Sequence, residues 1–377
     1  MRQFFIAQKD WDGSFNPHAV KRRIKIWRAR KKTERKLLNY ILHLVRSERE
    51  RLAEHYLQDL ADRIELESLV AVTPNLQHLL NLAAEPGDGP LDKQRRHEAI
   101  RLFDETCAIA RMEQLDPIEK IHQDLEAMLK LLTRELFETD NQEVLMYTYH
   151  DRDDCYRVAD YRINERLERD GLLEHENRLV CRTARINGTT DYVALHHRIK
   201  RHVPAWLKMQ KQVQTSRKDP FNIVDRRGLK LIVPTIPLAL QLVELITAII
   251  EREGGSIVAS SQNLTSSGRV DQTNGHSSPN FKTARMEIWW RERFFELQIT
   301  TFLHYYSSTL SVDMENHAVY RLLQCFDFYF PFLFPTEIYH IDWTDETLRR
   351  QMMAREIARL GWLVDRNTLP VSSAEPT

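Results

Sequence analysis

The stretch FNIVDRRGLKLIV, residues 221 to 233, decides the fold. It is short, rich in strand formers and bounded by polar and turn residues, which is the pattern of a buried strand. Working outward, VALHHRI (193 to 199), ARMEIWW (284 to 290) and FFELQI (294 to 299) read the same way. Between them lie two helical patterns, PAWLKMQKQV and PLALQLVELITAIIEREGG, the second stopped by Gly254 and Gly255. Alternation of this kind predicts an α+β chain with a mixed sheet flanked by helices.

The region before this sheet reads differently. Apolar residues recur at helical spacing through Leu38, Ile41, Leu42, Val45, Leu52, Tyr56, Leu57 and Leu60, predicting one or two long helices over 17 to 68. AAEPGDGP (83 to 90) breaks the pattern, which resumes over 93 to 113 and 117 to 137. After the polar TYHDRDD (148 to 154), residues 156 to 174 predict one more helix ending at Gly171. Residues 259 to 280 form a polar loop of Ser, Asn and Gly, followed by helices over 302 to 326 and 344 to 361 and a frayed tail. The expected organisation is a helical region (1 to 147), a connecting segment (148 to 182), a sheet domain (183 to 343) and a C-terminal helix and tail (344 to 377).

Composition sets the class. The chain has 377 residues, 42% hydrophobic and 29% charged, with 54 basic residues against 54 acidic ones. That balance argues against a surface that is basic all over, so local charge must be read instead. Eleven glycines and 14 prolines disfavour a turn-dense β-sandwich. Four cysteines without a C-x-x-C pair signal neither a disulfide scaffold nor a zinc ribbon, which suits a reducing cytoplasm. No run approaches 18 apolar residues, and the N-terminus lacks a signal-peptide pattern.

Two acids stand out for their setting. Asp225 is expected at the start of a strand and Glu296 within one, so both carboxylates ride on sheet scaffold. Such a pair can hold a magnesium ion that bridges nucleotide phosphates, or one acid can hold metal while the other draws a proton from a hydroxyl. In RIKRHVPAWLKM (198 to 209), Arg198 and Lys200 share a strand face, and Lys208 is expected to project from the next helix toward the same sheet end. Three cations beside two carboxylates would neutralise a transferring phosphoryl or pyrophosphoryl group. The ordinary alternatives are salt-bridged strand-end acids and a basic surface strand.

Taken in order, these residues resemble the RelA/SpoT-like nucleotide pyrophosphokinases, the alarmone synthetases. Arg198, Lys200, Lys208 and Met209 match an Arg-x-Lys-x7-Lys-Met element. Asp225, Gly228, Lys230, Leu231, Ile232 and Val233 follow the family's Asp-x-x-Gly-x-Arg strand, and Glu296, Leu297, Gln298 and Ile299 its Glu-x-Gln strand. His317, Tyr320 and Arg321 match a His-x-x-Tyr-Lys helix. The resemblance covers about residues 183 to 325. It implies a nucleotidyltransferase-like sheet and an ATP-dependent transfer of pyrophosphate to a ribose 3′-hydroxyl. The acceptor it implies is a guanine or adenine nucleotide or the 3′ end of a transfer RNA. By the resemblance, Asp225 holds Mg2+, Glu296 completes the metal site or orients and deprotonates the hydroxyl, and Arg198, Lys200 and Lys208 grip the ATP phosphates. Phe281, Lys282, Gln298, His317 and Tyr320 meet the acceptor.

There are departures. The guanine-stacking loop, usually Gly-Tyr-x-Ser-x-His, is matched best by Asn280 to Arg285, 15 residues separating Phe281 from Glu296, rather than by the loop around His276. Phenylalanine keeps the stacking face without the hydroxyl, and Arg285 replaces histidine. Thr300 and Lys230 replace arginines, and Arg and Lys are not equivalent at a planar phosphate site. A hydrolase domain is not expected, since the only adjacent His-Asp is His150-Asp151, in a hydrophilic stretch. His196, His197 and His202 read as exposed or hydrogen-bonded rather than metal-bound.

Outside the resemblance, residues 21 to 36 carry ten Lys or Arg against the single acid Glu34, interleaved with Ile24, Ile26 and Trp27. Such a helix could track a phosphate backbone such as RNA, the ordinary alternative being a solvated face. No membrane partner is expected. The rival to an enzyme is a nucleotide- or RNA-binding regulator of the same fold without turnover, and a third reading makes the N-terminal helices an oligomerisation scaffold.

Overall fold

The computed structural model describes residues 17–60, 75–85, 89–138, 141–151, 157–168, 170–186, 188–214, 223–266, 280–313 and 315–367. The expected polar loop beyond Ser266, with His276 in it, and the C-terminal tail beyond Asn367 lie outside these residues. In chain order the helices are α1 (Pro17–Ala29), α2 (Lys32–Tyr56), α3 (Leu76–Ala84), α4 (Pro90–Leu115), α5 (Ile118–Leu136), α6 (His202–Gln214), α7 (Ile236–Arg252), α8 (Phe302–Leu310), α9 (His317–Gln324) and α10 (Glu346–Asn367). The strands are β1 (Gln142–Asp151), β2 (Arg157–Ile163), β3 (Leu172–Ile186), β4 (Thr189–Ile199), β5 (Arg227–Val233), β6 (Ser256–Gln262), β7 (Thr283–Trp290) and β8 (Arg293–Thr301). No helix among the described residues is long and apolar enough to cross a membrane.

The chain divides into two units. The helical unit comprises residues 1–118, 201–215 and 328–343. Its core joins Leu38, Ile41, Leu42 and Val45 of α2, Leu76, Leu79 and Leu80 of α3, and Leu102 and Phe103 of α4, all buried. Trp206 of α6 and Phe330, Phe334 and Trp343 complete it. A charged knot runs through this core. Glu98, with no solvent exposure, accepts from Arg49 and from Arg101 Nε (2.9 Å), while Arg49 and Arg101 also donate to the carbonyls of Leu333 (2.5 Å) and Phe332 (2.7 Å). Buried charges persist only when paired and hydrogen-bonded in this way.

The sheet unit comprises residues 119–200, 216–327 and 344–377. Its eight strands run in the order β2-β1-β3-β4-β5-β8-β7-β6, and every pairing is antiparallel except β5 with β8. On one face, Leu229, Leu231 and Val233 of β5, Leu297 and Ile299 of β8, and Met286 and Ile288 of β7 are all buried. Helix α7, whose Leu238, Leu242, Ile246 and Ile249 are buried, packs against β5, β6, β7 and β8. Its start is capped by Thr235, whose Oγ1 accepts from Leu238 N. Because strand side chains alternate, the opposite face of these strands carries polar residues, among them Lys230, Arg285, Glu287, Glu296 and Gln298.

Several expectations need correction. Residues 156 to 174 are not a helix: they give β2, a turn and the start of β3, and Gly171 (φ 81°) serves that turn rather than a helix end. Residues 148 to 182, expected as a connection, thus contribute to β1, β2 and β3. The helix expected over 302 to 326 is broken. Asn316 caps α9 by accepting from Ala318 N (2.8 Å) and donates to the carbonyls of Thr309 and Ser311, fixing the chain between α8 and α9. Part of the expected polar loop is strand β6. His150 lies on β1 and is fully buried against His175, with ring centroids 4.6 Å apart, although the stretch around it in the sequence is polar.

Candidate active site

The register of the strands lines up the polar face in rows. Arg198 on β4 pairs with Gly228 on β5, Gly228 with Glu296 on β8, and Glu296 with Glu287 on β7. One row along, His196, Lys230, Gln298 and Arg285 succeed one another across the same four strands. Beyond these comes the row Ala194, Ile232, Thr300 and Thr283, where the face turns apolar and α8 covers it with Phe302 and Tyr306.

Asp225 stands at the head of β5. It is not in a strand, as expected, but in a single 3-10 turn, Val224–Arg226, that enters β5. Its backbone (φ −79°, ψ 15°) lies in the sparsely used bridge region, and its carboxylate is buried. Lys200, just past β4, donates from Nζ to Asp225 Oδ2 at 2.5 Å, and its backbone N–H donates to the Arg226 carbonyl, locking this turn to the end of β4.

Arg198 connects the two acids. Its Nη2 lies 3.8 Å from Asp225 Oδ2 and 3.7 Å from Glu296 Oε2, so both carboxylates face one point. Gly228 makes this reach feasible, because a Cβ there would come within 3.0 Å of Arg198 Cγ and 3.2 Å of its Nε. Glu296, 4% exposed, is held from the other side by Arg285, whose Nε is 2.7 Å from Oε1 and whose Nη2 pairs with Glu287 at 2.9 Å. Gln298 donates to Glu296 Oε2 at 3.4 Å.

Lys230 occupies the centre of the face. Its Nζ lies 5.9 Å from the Phe281 ring centroid and 5.8 Å from that of Tyr305 on α8, an ammonium between two aromatic faces. Burial, and then Arg198, push its pKa down to about 8 against the opposing pull of Glu296. His196 packs edge-on against Tyr305 with centroids 5.6 Å apart, and burial followed by Lys230 pushes its pKa down. On α9, His317 stands at the open rim beside Tyr320, 5.6 Å between ring centroids. Partial loss of hydration and then Arg198, Lys230, Arg321 and Lys200 push its imidazole down and favour the neutral ring.

The structure gathers Asp225, Glu296, Arg198, Lys200, Gln298, Phe281 and His317 around one sheet face. Lys282 stands at the entry to β7, its Nζ donating to the Ser266 carbonyl at 2.5 Å and its own carbonyl accepting from Thr300 Oγ1 at 2.7 Å. Thr300, where the motif has arginine, is therefore a buried fastener of β7 to β8. Lys208 lies on α6 in the helical unit, half-buried between buried Leu207 and Met209. Arg285, noted only as a departure, proves to be a principal partner of Glu296. His196, expected to be an exposed or hydrogen-bonded residue, packs half-buried beside Lys230, whereas His197 is exposed and His202 is buried 3.1 Å from Glu113.

Among the described residues no three His, Cys, Asp or Glu side chains gather for a metal. Asp225 and Glu296 supply carboxylate oxygens around the point that Arg198 reaches, the donor type a hard divalent cation takes, with water and phosphate oxygens as further ligands. The chain matches no family model, no curated protein and no solved structure.

Proposed function

We propose that the chain is an ATP-dependent pyrophosphokinase that transfers the β,γ-pyrophosphate of ATP to a ribose 3′-hydroxyl. The acceptor is a guanine or adenine nucleotide or a transfer RNA 3′ end. The observation that supports it is the convergence of Arg198 on both Asp225 and Glu296, which draws residues of three separate sequence motifs to one point. In this reading Asp225 and Glu296 would hold Mg2+, which supplies charge neutralisation for the phosphates. Glu296, in the same reading, orients the hydroxyl and takes its proton. The 3′ oxygen then bonds to the β-phosphorus as the α–β bridge breaks and AMP leaves. Arg198 and Lys200 bear the charge that builds on the phosphate oxygens. Phe281 offers the acceptor base a ring face, and Lys282, Gln298, His317 and Tyr320 supply polar contacts.

The test is incubation of the purified chain with γ-labelled ATP, magnesium and a panel of nucleotides and total transfer RNA. Label should move to one acceptor and AMP should accumulate. Asp225→Asn and Glu296→Gln should each lower transfer on the order of a hundredfold or more without loss of fold. Near-normal product from either variant would refute the assignment. One observation favours a second reading, a nucleotide-binding regulator without turnover: both acids are already engaged by internal cations, Glu296 by Arg285 at 2.7 Å. Binding of ATP with no label transfer to any acceptor would select it.

A further inference from the structure

The ten cations between Lys21 and Lys36 are not equivalent in the folded chain. Arg23 is committed inward, its guanidinium forked onto Asp104 (Nε to Oδ1 2.8 Å, Nη2 to Oδ2 2.5 Å). Arg30 lies 3.7 Å from Glu34, the only acid of the stretch. Lys21, Arg22, Lys25 and Arg28 of α1 are exposed, as are Lys31 and the α2 residues Lys32, Arg35 and Lys36. The chain as a whole is neutral, so this is a local concentration of positive charge.

Two further features narrow the partner. The apolar side of α1 is already used, with Val20 and Trp27 buried to 2% and 3% exposure. A helix binds a membrane surface by inserting its apolar face, and among the described residues of this one Ile26 is the one large apolar side chain left exposed, so a lipid surface fits poorly. On α2, Lys32, Lys36 and Tyr40 stand at i, i+4 and i+8, so they share one face. Tyr40 is 56% exposed. A ring presented beside ammonium groups is what a single-stranded nucleic acid uses: phosphates meet the cations and an unpaired base stacks on the ring. RNA is the nucleic acid whose loops, bulges and ends present unpaired bases.

We infer that the exposed face of α1 together with the first turns of α2 is a binding surface for single-stranded segments of RNA, with Arg22, Lys25, Arg28, Lys32 and Lys36 on the backbone and Tyr40 on a base. This surface is independent of the pyrophosphate-transfer reading, since it acts through different residues.

The test uses the full chain and a labelled 20-nucleotide unstructured RNA, titrated by fluorescence anisotropy at a series of salt concentrations. The same RNA annealed to its complement and phosphatidylserine vesicles serve as comparison arms. Affinity for the single strand should fall linearly with salt on logarithmic axes. The triple variant Arg22→Gln, Lys25→Gln, Arg28→Gln should reduce that slope by about 2, three contacts at roughly 0.7 each. A control triple, Lys130→Gln, Arg178→Gln, Arg185→Gln, removes equally exposed cations of the sheet unit and should leave the slope unchanged. Tyr40→Ala should weaken binding at least about fivefold, the low end for one lost base stack, while leaving the slope as it was. Glutamine preserves helix propensity, and circular dichroism checks the fold. The inference is overturned by absence of salt-sensitive binding, by equal slope loss in the control triple, by equal affinity for the duplex, or by preference for vesicles. Transfer to mononucleotides, assayed separately, tells its failure from failure of the proposed activity.

Discussion

Arg198 and Glu296 sit on strands that are not neighbours, yet Arg198 Nη2 lies 3.7 Å from Glu296 Oε2 because the residue between them, Gly228, has no side chain. The guanidinium spans two strand spacings, roughly 10 Å. Gly228→Ala is therefore expected to expel Arg198 from this position, since a Cβ would lie 3.0 Å from its Cγ. Pyrophosphate binding, measured by isothermal titration, should weaken on the order of tenfold with the circular dichroism spectrum unchanged. Unchanged affinity would mean that Arg198 grips no phosphate.

Arg285 tests whether Glu296 is a metal ligand. With Arg285 Nε 2.7 Å from its Oε1, a divalent cation must share or displace an existing positive charge. Arg285→Ala should tighten Mn2+ binding several-fold, as read by electron paramagnetic resonance titration. Weaker binding in the variant would show instead that Arg285 orients the carboxylate for the metal.

Lys230 sets an alkaline limit. Its pKa, lowered to about 8, makes it cationic at neutral pH and uncharged above about pH 9. Affinity for pyrophosphate should fall as pH rises from 7 to 9, and Lys230→Arg should extend the plateau upward. A profile in the lysine protein that stays flat to pH 10 would remove Lys230 from the anion site.

Glu105 in the helical unit predicts the pH dependence of stability. Burial raises its pKa to about 7 against the opposing effect of Arg49, and neither carboxylate oxygen has a hydrogen-bond partner among the described residues. A carboxyl whose folded pKa exceeds its unfolded value near 4.5 binds more protons in the folded state. Stability from this group is therefore greatest below pH 4.5 and declines as pH climbs toward 7. Glu105→Gln should be more stable than the parent at pH 8, by up to about 3 kcal/mol, with the gain shrinking at pH 5. Urea denaturation at the two pH values checks this, and an equal difference at both would refute it.

Phe281→Ala should weaken acceptor binding by roughly 1 to 3 kcal/mol, the worth of a lost base stack, with ATP binding little changed. Equilibrium dialysis with each nucleotide separately distinguishes the two effects.

What was legible in the sequence was what local patterning encodes. Strands β5, β7 and β8 announced themselves because one face of each is largely apolar, and β4 through its strand formers Tyr192, Val193 and Leu195; the site residues follow from the alternate face. Strand β2 hid because it is an edge: its residues run half-buried and exposed through Asp160 and Arg162, so no period-2 signal marks it. Gly171 then mimicked a helix stop. The break between α8 and α9 rests on three local hydrogen bonds of Asn316, to Thr309, Ser311 and Ala318, which apolar spacing alone does not display. Likewise Arg285 could be seen as a departure from a motif, but its grip on Glu296 arises from a diagonal pairing between β7 and β8 that only register reveals.

The chain enters the helical unit three times, through residues 1–118, 201–215 and 328–343. A nascent polypeptide emerges at 5 to 20 residues per second, so α1 to α4 are exposed well before the carbonyls of Phe332 and Leu333 are synthesised. Until then Arg49, Glu98 and Arg101 can pair with one another but lack those acceptors, and the hollow destined for Phe330, Phe334 and Trp343 has no lining. The N-terminal helices must therefore wait through synthesis of all eight strands, a window in which a chaperone would find them incompletely packed. Ribosome-stalled chains ending before residue 328 should be protease-sensitive in α2 and α4, with resistance appearing once residue 343 has cleared the exit tunnel.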